Sequence, residues 1–350
     1  MNNKLRIALI STPFFGVPPQ KYGGLELIVW DLACGLIKLG HKVIIFAPKG
    51  SQIPKGGFIY ETGEPLDTVN ADWLKAEEDM FNRYIINHLD GIQILHGHNW
   101  FGFEYLVKNK YPNIKVAHSH HGHINPDWWC KTKPPFKLNF ITLSKFMQTE
   151  AKQQGIESQY VYNGIDLDKY PYQEKKGDRL LFVGRLDSFK RPHIAIEIAK
   201  KMNLGLDIVG GSFVADVNYM NQIKQQCDGS QIVLHLDATQ EEKTRLYQNA
   251  KCVIFPSKMG EPFGLVGIES LACGTPVIAS NDGGIPESII DGKVGFICQN
   301  TEEMIEAFKK IDTIIPINCH KWVVENFSRE IMAKNYETLY KRILQDGGEW

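Results

Sequence analysis

Apolar runs of the ~20 residues needed to cross a bilayer are missing from the 350-residue sequence. The charged, apolar and small-residue progression of a secretory signal is missing too: Met1 leads straight into the strand-like stretch from Leu5 to Ile10, and a cytoplasmic chain is the expectation. Charge of one sign is not in excess. The 39 Lys and Arg balance 40 Asp and Glu to a net charge of −1, which argues against a protein that coats nucleic acid by neutralising phosphates, so no nucleic-acid partner is expected. Seven cysteines (Cys34, Cys130, Cys227, Cys252, Cys273, Cys298, Cys319) form no CxxC pair or other metal-type spacing. They read as reduced, mostly buried thiols. The sequence also has no repeat of ~20–50 residues, no low-complexity tract, and no GxGxxG, which disfavours a nicotinamide dehydrogenase.

What is present is a 43% hydrophobic, 23% charged chain long enough to bury two cores. Short β-branched runs recur at 6–10, 42–46, 92–95, 115–117, 139–143 and 159–162, with helical period between them. Leu25, Ile28, Val29, Leu32, Leu36 and Leu39 follow the i, i+3, i+4, i+7 rule, and Gly40 supplies the stop. The rhythm restarts at 180–183 and continues through 206–209, 232–236, 252–255, 276–279 and 295–298. Alternating strands and helices specify parallel sheets covered on both faces. Two consecutive doubly wound α/β domains follow. The turn-rich NGIDLDKYPYQ, Asn163 to Gln173, marks their boundary. Charge shifts there as well, from 17 basic and 14 acidic residues in 1–165 to 22 and 26 in 166–350. A long helical pattern from His320 to Leu344 runs into QDGGEW, expected to fray.

Three stretches carry chemistry. After the first strand, Gly23-Gly24 opens the first amphipathic helix, where backbone amides can approach a phosphate; a loop needing positive φ explains the glycines equally well. In the second half, LLFVG runs into Arg185, with Lys190 five residues on, just before a helix started by Pro192. Two fixed cations at the carboxyl end of a first strand make a diphosphate clamp, or else are solvated surface charges. The third stretch is PSKMGEPFGLVGIESLACGTPVIAS, from Pro256 to Ser280. Its loop carries Glu261, a helix starts near Leu265, amides at Leu265 and Val266 point at an anion, and Glu269 lies in the second helical turn. Retaining glycosidases hold their two carboxylates ~5–5.5 Å apart, closer than eight residues of loop and helix suggest, so Glu261 and Glu269 read as two hydroxyl binders, or else as a helix N-terminal Glu beside a surface Glu.

With these stretches quoted, the sequence resembles the retaining glycosyltransferases of family four. YGGLE (Tyr22 to Glu26), GHKV (Gly40 to Val43), NGID (Asn163 to Asp166), GRLDSFKRP (Gly184 to Pro192), EPFGLVGIESLACGTPVIAS and GGIPE (Gly283 to Glu287) occur in the family's order and spacing. DGKVGF and ENFSREIMAKNYETLY extend the match over nearly the whole chain. The resemblance implies GT-B architecture: two facing Rossmann-like domains with an interdomain cleft, the first formed by 1–165 plus about 327–350 and the second, donor-binding, by 166–326. Under it Arg185 and Lys190 hold the diphosphate of a UDP-, GDP- or ADP-sugar, and Glu269 the ribose. Glu261 takes the donor sugar's hydroxyls. Backbone from Phe263 through Gly264 and Leu265 to Val266 approaches sugar and phosphates, and Gly23 and Gly24 close over them from the other domain. No cofactor and no metal are implied. The sugar passes, with retention, to a hydroxyl of a glycan, lipid or small molecule. Catalysis is then mainly positioning and stabilisation of the departing diphosphate.

The family's histidine segment aligns with SHHG, placing His121 near the donor sugar and leaving His120 as its rival. Six histidines, His96, His98, His118, His120, His121 and His123, crowd this region. Alternating histidines can share a face as metal ligands do, but the closest acids are Glu104 and Asp127, so the expectation is that His98 and His121 serve the donor while His96 and others pack. Trp128, Trp129, Lys131, Lys133, Phe136 and Lys137 form a cationic aromatic segment that either stacks on an acceptor sugar or is a solvated loop. Three lysines fall short of an anionic-lipid cluster, so membrane contact is not favoured. The competing readings are a sugar-nucleotide epimerase of the same architecture and a catalytically silent sugar-nucleotide-binding protein.

Overall fold

The computed structural model describes residues 4–20, 23–66, 72–100, 106–124, 139–211 and 216–345. Tyr22, the 125–138 segment with its tryptophans and lysines, Glu104 and the tail from 346 lie outside the described residues. Two compact units result, one of Met1–Gly164 with Arg329–Trp350, the other of Ile165–Ser328.

In the first unit β1 (Arg6–Ile10), β2 (Lys42–Ala47), β3 (Phe58–Glu61), β4 (Ile94–Gly97), β5 (Lys115–Ser119), β6 (Asn139–Thr142) and β7 (Ser158–Tyr160) form one sheet. Its order is β3-β2-β1-β4-β5-β6-β7, with every pairing parallel. Ile7, Ala8, Leu9 and Ile10 are fully buried, as a strand covered on both faces requires. The edge strand β3 has no counterpart in the sequence reading. Its FIYE has no apolar alternation and Phe58 is 59% exposed, so hydrophobic period cannot reveal it. Around the sheet lie α1 (Gly24–Lys38), α2 (Trp73–Met80), α3 (Val107–Lys110) and α4 (Lys145–Gln153).

The second unit repeats the plan with β8 (Leu180–Val183), β9 (Leu206–Gly210), β10 (Ile232–Leu236), β11 (Cys252–Phe255), β12 (Val277–Ser280) and β13 (Gly295–Cys298) in the parallel order β10-β9-β8-β11-β12-β13. Its helices are α5 (Pro192–Met202), α6 (Val217–Gln225), α7 (Gln240–Asn249), α8 (Leu265–Ala272), α9 (Ile285–Ser288), α10 (Thr301–Phe308) and α11 (Pro316–Asn326). The two ends of this unit's segment are neighbours, because Ile165 pairs with Ser328 and donates to the Phe327 carbonyl at 2.9 Å.

The closing helix α12 (Arg329–Gln345) belongs to the first unit. It buries Met332, Ala333, Tyr336, Leu339, Tyr340 and Ile343 and packs on α1, where Gly35 makes room: a Cβ there would stand 2.5 Å from Ala333 Cβ. Among the described residues no helix is long and apolar enough to cross a membrane.

Candidate active site

Doubly wound sheets bind ligands beyond the carboxyl ends of strands where the strand order reverses. In the second unit that point lies between β8 and β11, which pair directly. The loop leaving β8 is organised by Asp187, a residue the sequence reading did not single out. One carboxylate oxygen accepts the amides of Phe189 (3.1 Å) and Lys190 (2.8 Å), and the other meets Arg185 Nε at 3.1 Å. Arg185 and Lys190 are thus fixed on one short loop before Pro192 opens α5.

The loop leaving β11 carries Glu261 to meet them. Its buried carboxylate forms an ion pair with Lys190 Nζ and accepts Ser257 Oγ at 2.9 Å. A second unanticipated aspartate holds this loop: Asp282 accepts the amides of Met259 (3.0 Å), Gly260 (3.1 Å) and Glu261 (3.0 Å), while the Gly284 amide donates to the Glu261 carbonyl at 2.7 Å. Gly283 has φ +56, and a Cβ on it would fall 2.3 Å from both N and O of Glu261. Only glycine fits that approach. Neither cation stands alone, since Arg185 meets Asp187 through Nε and Lys190 is paired with Glu261.

Gly264, Leu265 and Val266 lead into α8, with Gly264 as the N-cap residue and no side chain capping the helix. The Phe263 side chain is buried, its ring 5.7 Å from that of Phe327, so only its backbone can serve a ligand. Glu269 is 5% exposed. It accepts Tyr170 Oη (2.7 Å) at one oxygen, Tyr247 Oη (2.7 Å) at the other, and Lys243 Nζ (3.2 Å) at both. Four bonds fill a carboxylate's acceptor sites; a ribose diol would have to displace one of them.

In the first unit the reversal lies between β1 and β4. Beyond β1, Gly23 (φ 148) precedes Gly24 at the start of α1; a Cβ on Gly23 would strike Pro19 Cβ at 2.6 Å. The first turn of α1 already carries a buried acid: Thr12 Oγ1 donates to Glu26 Oε1 at 2.5 Å, and burial pushes this carboxyl up, opposed by that bond. Beyond β4 and β5 come the histidines. His98 Nδ1 and His121 Nε2 are 2.9 Å apart. His120 turns inward: its Nε2 donates to the His123 carbonyl at 3.0 Å and its ring stacks on Phe140. Burial holds the imidazoles of His96, His98 and His121 well below their usual range, neighbouring histidines adding to it, and brings His120 to about 4. At neutral pH all four are uncharged.

The sequence-derived residues thus fall into two clusters: Arg185, Lys190 and Glu261 in the second unit, His98 with His121 in the first. Glu269 sits in its own buried network. Asp187, Asp282, Tyr170, Tyr247 and Lys243 were missed; the aspartates stand within GRLDSFKRP and directly before GGIPE, and are the only hint the sequence offers. Among the described residues no group of three or more His, Cys, Asp or Glu is placed to hold a metal ion.

A chain of two parallel, Rossmann-like sheets of this kind has parallels among known proteins. Residues 167–322 match the family described as Glycosyl transferases group 1, and residues 22–169 match Glycosyltransferase Family 4. Glycogen synthase of Mycobacterium tuberculosis (strain ATCC 25618 / H37Rv) is 34% identical over 350 residues, covering 84% of this chain and 82% of that protein. In fold the chain is similar to AviGT4, a glycosyltransferase involved in avilamycin A biosynthesis (TM-score 0.75, 22% identity, 99% of each chain). It is also similar to Anabaena HepE in complex with UDP and glucose (TM-score 0.75, 17% identity, 96% of this chain and 100% of that one). The architecture is GT-B, and the chain belongs to glycosyltransferase family 4.

Proposed function

We propose that this glycosyltransferase moves a hexose from a nucleoside-diphosphate sugar to an acceptor hydroxyl, with retention at the anomeric carbon and without a metal ion. The observation that carries the reading is the convergence of Arg185, Lys190 and Glu261 on two adjoining loops at one strand-order reversal. Arg185 and Lys190 take the diphosphate, and Glu261, released from Lys190, accepts sugar hydroxyls. Fixed cations do for the leaving diphosphate what a divalent ion does elsewhere. The bond from the anomeric carbon to the diphosphate oxygen breaks while the acceptor oxygen bonds on the same face. The acceptor proton passes to the departing phosphate, so no protein nucleophile is required.

His98 and His121, neutral and hydrogen-bonded to each other, are suited to hold sugar hydroxyls in the first unit, each ring being able to donate or accept. A glycan acceptor is the reading we favour; glycogen synthase among the relatives supports it. UDP is the first nucleotide to try, since the HepE structure holds it.

One experiment tests the whole reading: incubate labelled UDP-, GDP- and ADP-hexoses with and without glycan acceptor, in EDTA, and follow early product by proton NMR. An α-donor should give an α-linked product that needs acceptor but no added metal. A β-linked product, or loss of activity on chelation restored by one metal, contradicts the reading; isomerised donor without acceptor identifies an epimerase, and no turnover a silent binder.

A further inference from the structure

Under the histidine pair lies a buried polar chain that the chemistry above does not use. Tyr340 Oη, on α12, is 2.6 Å from His96 Nδ1; His96 Nε2 is 2.9 Å from Ser119 Oγ; Ser119 Oγ is 2.9 Å from Tyr336 Oη, also on α12. All four residues are fully buried. Each has a hydrogen to donate and a lone pair to accept, so both ring nitrogens of His96 are satisfied and its plane is set. His98 is held differently. Its ring meets that of His96 at a 46° tilt with centroids 4.1 Å apart, and that of Tyr336 at a 59° tilt and 6.4 Å. Its Nδ1 meets His121, while among the described residues its buried Nε2 has no hydrogen-bond partner. The χ2 torsion of histidine is broad, so one bond and the tilted rings packed against it fix this ring.

We propose that Tyr336 and Tyr340 are positioning residues: through Ser119 and His96 they set the plane of His98, and with it the geometry of the His98–His121 pair. This rests on reading that pair as a hydroxyl-binding group of the enzyme. The nearer end of the chain of bonds is separated from its partner by over two hundred residues, |i−j| being 217 for Ser119 and Tyr336 and 244 for His96 and Tyr340. The last helix of the chain therefore shapes a site at the carboxyl ends of β4 and β5.

The test uses the full-length protein with 15N-labelled histidine. Long-range proton–nitrogen spectra report each ring's tautomer, with His98 and His121 assigned by single substitution. Tyr340→Phe and Ser119→Ala are compared with Glu337→Gln, which alters the same helix at its bond to His41 and leaves the network whole. The expected result is one fixed tautomer at His98 in wild type and in Glu337→Gln, and averaged ring nitrogens in Tyr340→Phe and Ser119→Ala, with transfer slowed on the order of 10–100-fold by misplacement. If one of these two variants fails to fold, the other carries the comparison, and Tyr336→Phe adds a third. Folded variants with an unchanged His98 tautomer overturn the proposal. Averaged tautomers with undiminished transfer leave the positioning standing and overturn the assignment of the pair to the sugar.

Discussion

Replacing Glu261 by Gln removes the charge that balances Lys190 while keeping the shape of the loop. In the unliganded protein the Lys190 ammonium then faces an amide, with little water to replace the lost carboxylate, since its side chain is only 19% exposed. Losing a charge-assisted bond costs about 1.5–3 kcal/mol, which lowers the melting temperature of the second unit. A nucleoside diphosphate brings the missing negative charge back, and it no longer competes with Glu261 for the ammonium. If roughly half of that, about 0.7–1.5 kcal/mol, returns on binding, affinity for UDP, GDP or ADP rises about three- to tenfold. Titration calorimetry with diphosphates lacking a sugar reads this directly, and the difference should shrink at high salt. Turnover of the intact donor should fall, because the hydroxyl acceptor is weakened. A folded Glu261→Gln protein that binds nucleoside diphosphates no tighter than wild type refutes the reasoning; Lys190 would then either not meet phosphate or meet it without leaving Glu261.

Arg185→Ala and Lys190→Ala should each lower turnover by about 10²–10³, and near-normal rates in folded variants would remove both from the diphosphate. Acid should weaken the first unit. The folded chain resists protonating His96, His98, His120 and His121, so their contribution is whole above about pH 6.5 and is lost as pH falls toward the folded values, each by up to about 1.4 kcal/mol per pH unit. Glu26, whose carboxyl burial pushes up, works in the opposite sense. A melting temperature flat from pH 7 to 4.5 would contradict this. Gly283→Ala forces a Cβ to 2.3 Å from the Glu261 backbone at φ +56 and should cost more than about 1 kcal/mol, with diphosphate binding weakened; an unchanged denaturant midpoint speaks against it.

The sequence was most legible where one physical signal dominates. Buried parallel strands such as LLFV at 180–183 and CVIF at 252–255 are continuous apolar runs between turn formers, and the helices starting at Pro192 and Leu265 begin where their punctuation says. The edge strand at Phe58 was illegible because half-exposed residues carry no pattern. Arg185, Lys190 and Glu261 could be named from motif spacing, but their mutual arrangement could not. Lys190 is 71 residues from Glu261, and Tyr170 is 99 from Glu269. Pairings across such distances are decided by strand order, which local periodicity does not contain. The histidines show the same limit: alternation marks a shared face, but only the packing of α12 under β4 and β5 separates the network around His96 from the pair at His98.

The clasp of Asp282 on the three amides of Met259, Gly260 and Glu261 has a consequence for anyone transplanting this loop. The Glu261 loop is held from two sides, by Asp282, Gly283 and Gly284 at the end of β12 and by the Phe189 carbonyl and Lys190 beyond β8. Grafting residues 257–264 from a relative would import a loop without its mould. The transferable cassette is discontinuous, 257–264 together with 280–285, and recombination breakpoints placed between the two should yield chimaeras that fold around their cores yet present Glu261 in the wrong place.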